Sequence, residues 1–170
     1  MHVLAAAATL GALTGGRTFA MPALLARGLA GVAPDADAGP LSRALASEVV
    51  APTLGALAIA ELVRDKLPMR GARIDPLPLL ARVASGGFCG AVAAELLGRS
   101  KALPVAVGAG AAFVGAHVAY HLRRRIRRKA DLPDSTVAAG EDAVVVGVGA
   151  EVVSELVDDA LLRALAAEPE

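Results

Sequence analysis

Hydrophobic positions along the chain fall into five long apolar stretches separated by short polar breaks. The stretch 102–122 contains no formally charged residue in 21 positions, which is the length and composition expected of a transmembrane helix. The other four hold one to five charged residues each, and three of these, taken singly, could be helices of a soluble bundle. They are residues 3–26, 44–63, 76–98 and 143–164.

The breaks between the stretches are rich in Pro, Gly or charged residues, which are typical of loops. Each stretch has 20 to 24 residues and, at about 1.5 Å per residue, can cross a hydrocarbon core of about 30 Å. The pattern therefore predicts an all-α integral membrane protein with about five transmembrane helices in a single domain, residues 1–170. The lipid bilayer is its expected environment.

The composition is consistent with this prediction. Hydrophobic residues make up 55% of the chain, but only 2% are aromatic and 18 are Gly, so small side chains supply much of the apolar surface. The 17 Lys and Arg residues balance the 17 Asp and Glu residues, so we expect no nucleic-acid partner. The single cysteine, Cys89, excludes a disulfide framework and a cysteine-based zinc site within the chain.

Basic residues concentrate in alternate breaks, as the positive-inside rule describes. Ten Lys and Arg residues lie in or beside the second and fourth breaks, against four beside the first and third. This predicts a multi-pass protein of the cell (inner) membrane with a cytoplasmic amino terminus and an outer carboxy terminus. The basic run at 123–129 could instead be a nucleic-acid patch, but its place beside the most hydrophobic stretch favours an orientation signal. No Lys or Arg precedes Arg17, so the first stretch lacks the basic leader of a cleavable signal.

A segment of the second stretch recurs in the fifth. Residues 55–65 and 149–159 are identical at six of eleven positions, including Glu61 and Glu155, and 11–17 matches 110–116 more weakly. If residues of about 3–66 repeat as about 102–164, joined by a central helix at about 76–98, the offset of three crossings turns the two copies in opposite directions. Such inverted repeats are common in small-solute transporters. A chance match in an alanine-rich chain is the alternative.

Two motifs resemble a known family. The segments GRTFAMP at 16–22 and ELVRDKLP at 61–68 are similar to the membrane family called domain of unknown function 4126. The resemblance implies a multi-span membrane protein, and it implies no substrate because that family has no established activity to carry over.

Charged residues inside the predicted spans are the candidate functional site, because an ionisable group in hydrocarbon is costly and usually faces a partner. Helical rise places Arg17 at a depth of about 21 Å, level with Glu151 and Glu155, at about 17 and 22 Å. His117 and Glu61, at about 22 and 25 Å from the other side, form a second predicted pair. Fixed salt bridges that only specify helix packing are the alternative.

Other candidate chemistry is weaker. His117 and His121 are spaced as two ligands on one helix face, but spacing identifies no third ligand, so we expect no metal or other cofactor. No nucleophile elbow, phosphate loop or dinucleotide motif is present, so we do not expect an enzyme.

Small residues at four-residue spacing, as in Gly11 and Gly15 or Gly86 and Gly90, predict close helix packing. The pair Gly15–Gly16 before Arg17, with Pro22 beyond, additionally predicts a break inside the first span that leaves backbone groups able to bind an ion.

These features favour a small transporter or channel for an ion or small solute, with Arg17, Glu61, His117, Glu151 and Glu155 lining a site at the membrane midplane. Five spans enclose little volume, so we also expect a homodimer formed through glycine-rich faces. The competing hypothesis is a membrane protein that transports nothing and instead scaffolds partners or organises lipid.

Overall fold

The computed structural model describes residues 1–31, 39–64, 75–130 and 134–167, and these form seven α-helices with no strand among them. The prediction of an all-α protein is confirmed for this part of the chain. The helices are α1 (Val3–Gly16), α2 (Ala20–Ala30), α3 (Pro40–Leu45), α4 (Val50–Arg64), α5 (Pro76–Leu96), α6 (Ala102–Ala130) and α7 (Asp134–Ala167). The predicted loop cations Lys66, Arg70 and Arg73 and the loop acids Asp35 and Asp37 lie outside the described residues, as do Glu168 and Glu170.

The predicted break in the first apolar stretch is confirmed. Helix α1 ends at Gly16, Arg17 takes an extended backbone conformation (φ −140°, ψ 113°), and α2 begins at Ala20. Pro22 is the third residue of α2. Its missing N–H costs nothing there because the first turn of a helix has no intrahelical partner for that group.

Helices α1, α5 and α6 form the tightly packed centre of the molecule, and glycines make their contacts possible. A Cβ on Gly11 would lie 2.3 Å from the Gly108 carbonyl oxygen, and one on Gly108 would lie 2.3 Å from the Gly86 carbonyl oxygen. Gly90 is equally close to Pro104. The predicted role of the glycine steps in close packing is confirmed, because a side chain at these positions would force the backbones apart.

Helices α1 and α6 run in the same direction. Gly11 packs on Gly108, and four residues later Gly15 packs on the segment from Ala112 to Ala116. This differs from the predicted inverted repeat, in which the corresponding spans cross the membrane in opposite directions. The break is also confined to the first copy, since α6 continues without interruption from Ala102 to Ala130.

The break turns the chain back on itself, so that α1 and α2 form a helical hairpin. Helix α1 is antiparallel to α7, with Met1 near Asp159 and Gly16 near Val145. Helix α2 is parallel to α7, since Gly149 meets the first turns of α2 and Gly28 meets Val153. The stretch 3–26 is therefore two antiparallel helices, not one crossing.

The molecule has two distinct ends. At the basic end, α4 finishes at Arg64, α6 passes Arg123 and α7 begins; at the opposite end, α5 finishes, α6 begins and Met1 meets Asp159. The chain thus runs back and forth an even number of times between them. In the described residues Met1 therefore lies at the end away from Arg64 and Arg123, whereas the amino terminus is predicted to lie with the basic loops. Of the helices that correspond in the two copies of the predicted repeat, only α4 and α7 run in opposite directions as predicted.

In the part of the chain that the structure describes, two helical segments, Pro76–Leu96 and Ala102–Ile126, are long and apolar enough to cross a membrane. Core helices of soluble proteins can be equally long and apolar, but they are mostly buried. In the second helix only 22% of the most apolar 18-residue stretch is buried. Its large exposed apolar side chains extend from Leu103 to Leu122, a distance of about 28 Å along the helix.

Candidate functional site

The site is built around residues 17–19, which we call the hairpin tip. The backbone N–H groups of Thr18 and Phe19 donate to the two carboxylate oxygens of Glu61, at 2.8 and 2.9 Å. Glu61 lies in the last turn of α4 and caps the amino-terminal end of α2, where unpaired N–H groups favour a negative charge. The side chain of a different helix therefore supplies the cap that α2 lacks in its own sequence.

A second side chain holds the other face of the hairpin tip. The Ser85 hydroxyl on α5 donates to the Thr18 carbonyl oxygen at 2.6 Å. The break was expected to leave backbone groups able to bind an ion. The structure instead assigns the N–H groups of Thr18 and Phe19 and the carbonyl of Thr18 to Glu61 and Ser85.

Arg17 pairs with Asp142, in the third turn of α7. Its Nε donates to Asp142 Oδ1 at 2.6 Å, and Nη2 contacts the same oxygen. Arg17 is 2% exposed, so the pair is largely withdrawn from solvent. Such a pair is favourable only with good geometry, because each charge has lost its hydration.

The predicted partners of Arg17 are wrong. Glu151 and Glu155 lie on the exposed side of α7, about 14 and 20 Å beyond Asp142 along the helix axis. Glu155 lies 3.9 Å from the Met1 amine at the opposite end. The depth estimate assumed that α1 and α7 run in the same direction. Because they are antiparallel, the end of α1 meets the first third of α7, at Glu141 and Val145.

The predicted pairing of His117 with Glu61 is also wrong. His117 Nδ1 lies 2.8 Å from the Phe113 carbonyl oxygen, and its ring packs on the Phe113 ring with centroids 4.5 Å apart. Because a carbonyl only accepts, Nδ1 carries the proton. Among the described residues no group of three His, Cys, Asp or Glu side chains could hold a metal ion.

Glu141 extends the charged cluster toward the basic end. Its carboxylate lies 3.7 Å from the Arg123 guanidinium, and Arg123 is buried. Asp142, Glu141 and Arg123 are not among the predicted site residues because all three lie just outside the apolar stretches 102–122 and 143–164. The available signal is the acidic pair Glu141–Asp142 directly before the last apolar stretch.

Along α6, the hairpin tip lies between the middle of the helix and its basic end. Gly15 packs against Ala116, and Arg123 is seven residues further along α6. Arg17 is only two residues beyond Gly15, so along the axis of α6 the hairpin tip lies about 7 Å before the level of Arg123.

A cavity of about 640 Å³ adjoins the cluster, between α2, α4 and α7. Its charged lining residues are Arg17, Arg27, Glu61 and Asp142. The rest of the wall is small or apolar and includes Ala58, Gly55 and Pro52. We call this the charged cavity. It brings together two of the five predicted site residues, Arg17 and Glu61, and excludes His117, Glu151 and Glu155.

Comparison of the chain with protein families, with curated proteins and with solved structures gives no match in any of the three searches. The resemblance of its two motifs to domain of unknown function 4126 therefore stays a prediction.

Proposed function

We propose that this is an integral membrane protein of the cell (inner) membrane that moves an ion or small charged solute through the charged cavity. The observation that carries the proposal is the placement of a buried ion pair and a carboxylate-capped helix break on the wall of one cavity in an otherwise apolar helical body. Ionisable groups inside a membrane are costly, which makes them candidates for a solute pathway.

In the proposed arrangement α4, α5, α6 and α7 cross the bilayer, and the α1–α2 hairpin enters from the opposite end. The exposed apolar side chains of α4, α6 and α7, including Ile59, Val114 and Val144, would then face lipid. By the positive-inside rule the basic end is cytoplasmic. The amino terminus is then on the outer side.

The Arg17–Asp142 pair is the element that a solute would engage. An anion would compete for the Arg17 guanidinium, and a cation would compete for the Asp142 carboxylate. Leaving either partner alone in a buried site costs about 3–5 kcal/mol, so the pair opens only when a solute charge replaces the lost one. This requirement would select against neutral solutes.

The test is ion flux into liposomes that contain the purified protein, with a panel of small anions and cations. Asp142→Asn should abolish flux of the transported ion, and Glu151→Gln, on the exposed side of the same helix, should leave it at the wild-type rate. Equal flux in wild-type and Asp142→Asn liposomes would exclude the charged cavity as the pathway.

The second candidate function is a scaffold or lipid-organising protein. It is favoured by the hydrogen bonds of the hairpin tip. Glu61 accepts from the two N–H groups and Ser85 donates to the Thr18 carbonyl, so these groups are already satisfied without a solute. The two candidate functions differ in whether water reaches the charged cavity. Cys89 is fully buried, so a cysteine placed at Ala58 in the charged cavity is readily followed with a water-soluble thiol reagent. Labelling in liposomes supports a pathway, and protection supports the scaffold.

A homodimer through a glycine-rich face also stays a proposal, and the packing within one subunit narrows the choice of face. Gly11, Gly86 and Gly108 pack within one subunit. Gly140 and Gly147 on α7 have no neighbouring atom within 4 Å of a Cβ, so this face is open to a second copy.

A further inference from the structure

A second cavity lies on the other side of the hairpin tip. It has a volume of about 440 Å³ and is bounded by α2, α3, α4 and α5. Ten of its lining residues are apolar and two are polar: Thr18, Phe19, Pro22, Leu41, Ala44, Leu45, Val50, Leu54, Ala81, Ala84, Ser85 and Phe88. We call this the apolar cavity.

The wall of the apolar cavity is chemically suited to hydrocarbon. The Ser85 hydroxyl is already used by the Thr18 carbonyl, and the Thr18 N–H is used by Glu61. Among the described residues, no charged side chain is part of the wall. A volume of 300–1,000 Å³ is about that of sites that enclose small organic ligands, so the space is large enough for a flexible alkyl chain.

The cavity is continuous with the exposed apolar surface. Ala81 and Ala84 belong to its wall and are exposed on α5. On the same helix Leu77 and Leu80 are 78% and 64% exposed. In the proposed membrane arrangement this surface lies among lipid tails, so an acyl chain can enter sideways without crossing water.

A positive charge lies where a lipid head group would be. Helix α3 contributes Leu41, Ala44 and Leu45 to the wall, and Arg43 on the same short helix is exposed. This helix sits at the opposite end of the molecule, since Glu95 in the last turn of α5 accepts from both the N–H and the hydroxyl of Ser42, at 2.8 and 3.0 Å. The Arg43 guanidinium is therefore available to a phosphate at the membrane boundary.

We propose that the apolar cavity binds one acyl chain of a membrane phospholipid, with Arg43 pairing with the head-group phosphate. The chain would run from α3 to the hairpin tip and contact Phe19 and Pro22. It would also contact Val50 and Leu54 on α4, a helix with no buried residue of its own. Bound lipid thus holds α4, and with it the Glu61 cap, against the rest of the molecule. This inference rests on the proposed membrane location but not on transport.

The test measures phospholipid that stays with the protein after purification in mild detergent, by native mass spectrometry. Wild type should retain a phospholipid. Ala84→Phe fills the cavity and should lose it, and Ala81→Leu provides a second, smaller filling variant. The control Ala106→Phe adds the same side chain to an exposed position on α6, away from the cavity, and should retain lipid. Arg43→Gln should retain less lipid than wild type.

The outcomes separate this inference from the proposed location. Extraction of the protein from cell membranes by alkaline carbonate would contradict the proposal that it is an integral membrane protein. A membrane-integrated wild type that carries no phospholipid, or folded Ala84→Phe and Ala81→Leu variants that carry as much as wild type, would overturn the acyl-chain site alone.

Discussion

Arg17 has two separate structural roles, one for its backbone and one for its side chain. Its backbone ends α1 and allows the chain to turn, and its side chain crosses to Asp142 on α7. The pair therefore fixes the hairpin tip to the third turn of the last helix. Removing either partner leaves a charge without its counterpart in a site that excludes solvent, which is more costly than losing both.

A double-mutant cycle tests this pairing. Arg17→Gln and Asp142→Asn should each destabilise the protein by about 3–5 kcal/mol, and the double variant should recover part of that loss because neither charge is left alone. Thermal unfolding in detergent supplies the measurement.

The matched control combines Arg17→Gln with Glu155→Gln. Glu155 is 57% exposed and lies at the other end of α7, so its effect should add to that of Arg17 without coupling. Coupling of Arg17 to Glu155 and not to Asp142 would contradict the observed direction of α7.

Glu61 is the other residue on which the hairpin tip depends. Glu61→Gln keeps the shape but can accept from only one of the two N–H groups, and its amide N–H₂ faces the other donor. We expect a loss of about 1–2 kcal/mol in the free energy of unfolding, because a cap with two charge-assisted hydrogen bonds is replaced by a weaker one. Glu48→Gln, at an exposed position before α4, should be neutral by the same thermal measurement.

At this scale the sequence supports some conclusions and not others. The break at Gly16 is a local property of Gly, Gly and Pro, and Arg17 is recognisable as a lone charge in an apolar stretch. The partner of Arg17 depends on the direction of a helix more than a hundred residues away. Depth counting cannot supply that direction, because it assumes that each apolar stretch crosses once.

At the scale of helices, backbone contact among α1, α5 and α6 is the feature most sensitive to side-chain size. Gly108 faces Gly86 on α5 and Gly11 on α1, whereas Gly110, two residues along, has no atom within 4 Å of its Cβ position. The two glycines form a natural pair for experiment.

Gly108→Ala should destabilise by about 1–3 kcal/mol, because the added methyl overlaps main-chain atoms that cannot rotate away. Gly110→Ala should be neutral or stabilising by about 0.5–1 kcal/mol, because Ala is the better helix former. Unfolding temperatures of the two variants in one detergent give the comparison, and similar losses in both would rule out the packing described.

The glycine steps could be predicted to pack closely, but their partners could not. Small residues at four-residue spacing predict that the backbone of another helix packs closely there. They do not identify which helix that is. The same ambiguity applies to the dimer, since the sequence does not distinguish glycines that pack within one subunit from glycines that would face a second copy.

For the whole molecule, the testable consequence is sidedness. In a Cys89→Ser background, cysteines at His2, Ser100 and Leu165 should react with an impermeant reagent from one side of the membrane and a cysteine at Arg125 from the other. Labelling of His2 and Leu165 from different sides would restore an odd number of passes and contradict the hairpin.

The difference between the predicted and the proposed sidedness has one physical source. The distribution of basic residues correctly groups the ends of α4 and α6, since Arg64 and Arg123 lie at one end of the molecule. It says nothing of α1 and α2, which carry only two cations between their first residue and Gly31. A helical hairpin and a single crossing have the same hydropathy, so only the packing of Gly15 and Gly28 distinguishes them.

The packing of α1 on α6 has a consequence for biosynthesis. Gly11 and Gly108 touch in the finished protein, yet 97 residues separate them in the chain. At a synthesis rate of about 5–20 residues per second, α1 waits roughly 5–20 s for the helix that will cover it. During that interval Arg17 also lacks Asp142, which is made later still. A nascent chain in this state exposes a small-residue groove and an unpaired cation, the kind of surface that quality-control machinery of the membrane recognises, so slowing translation between α2 and α6 should lower the yield of folded protein.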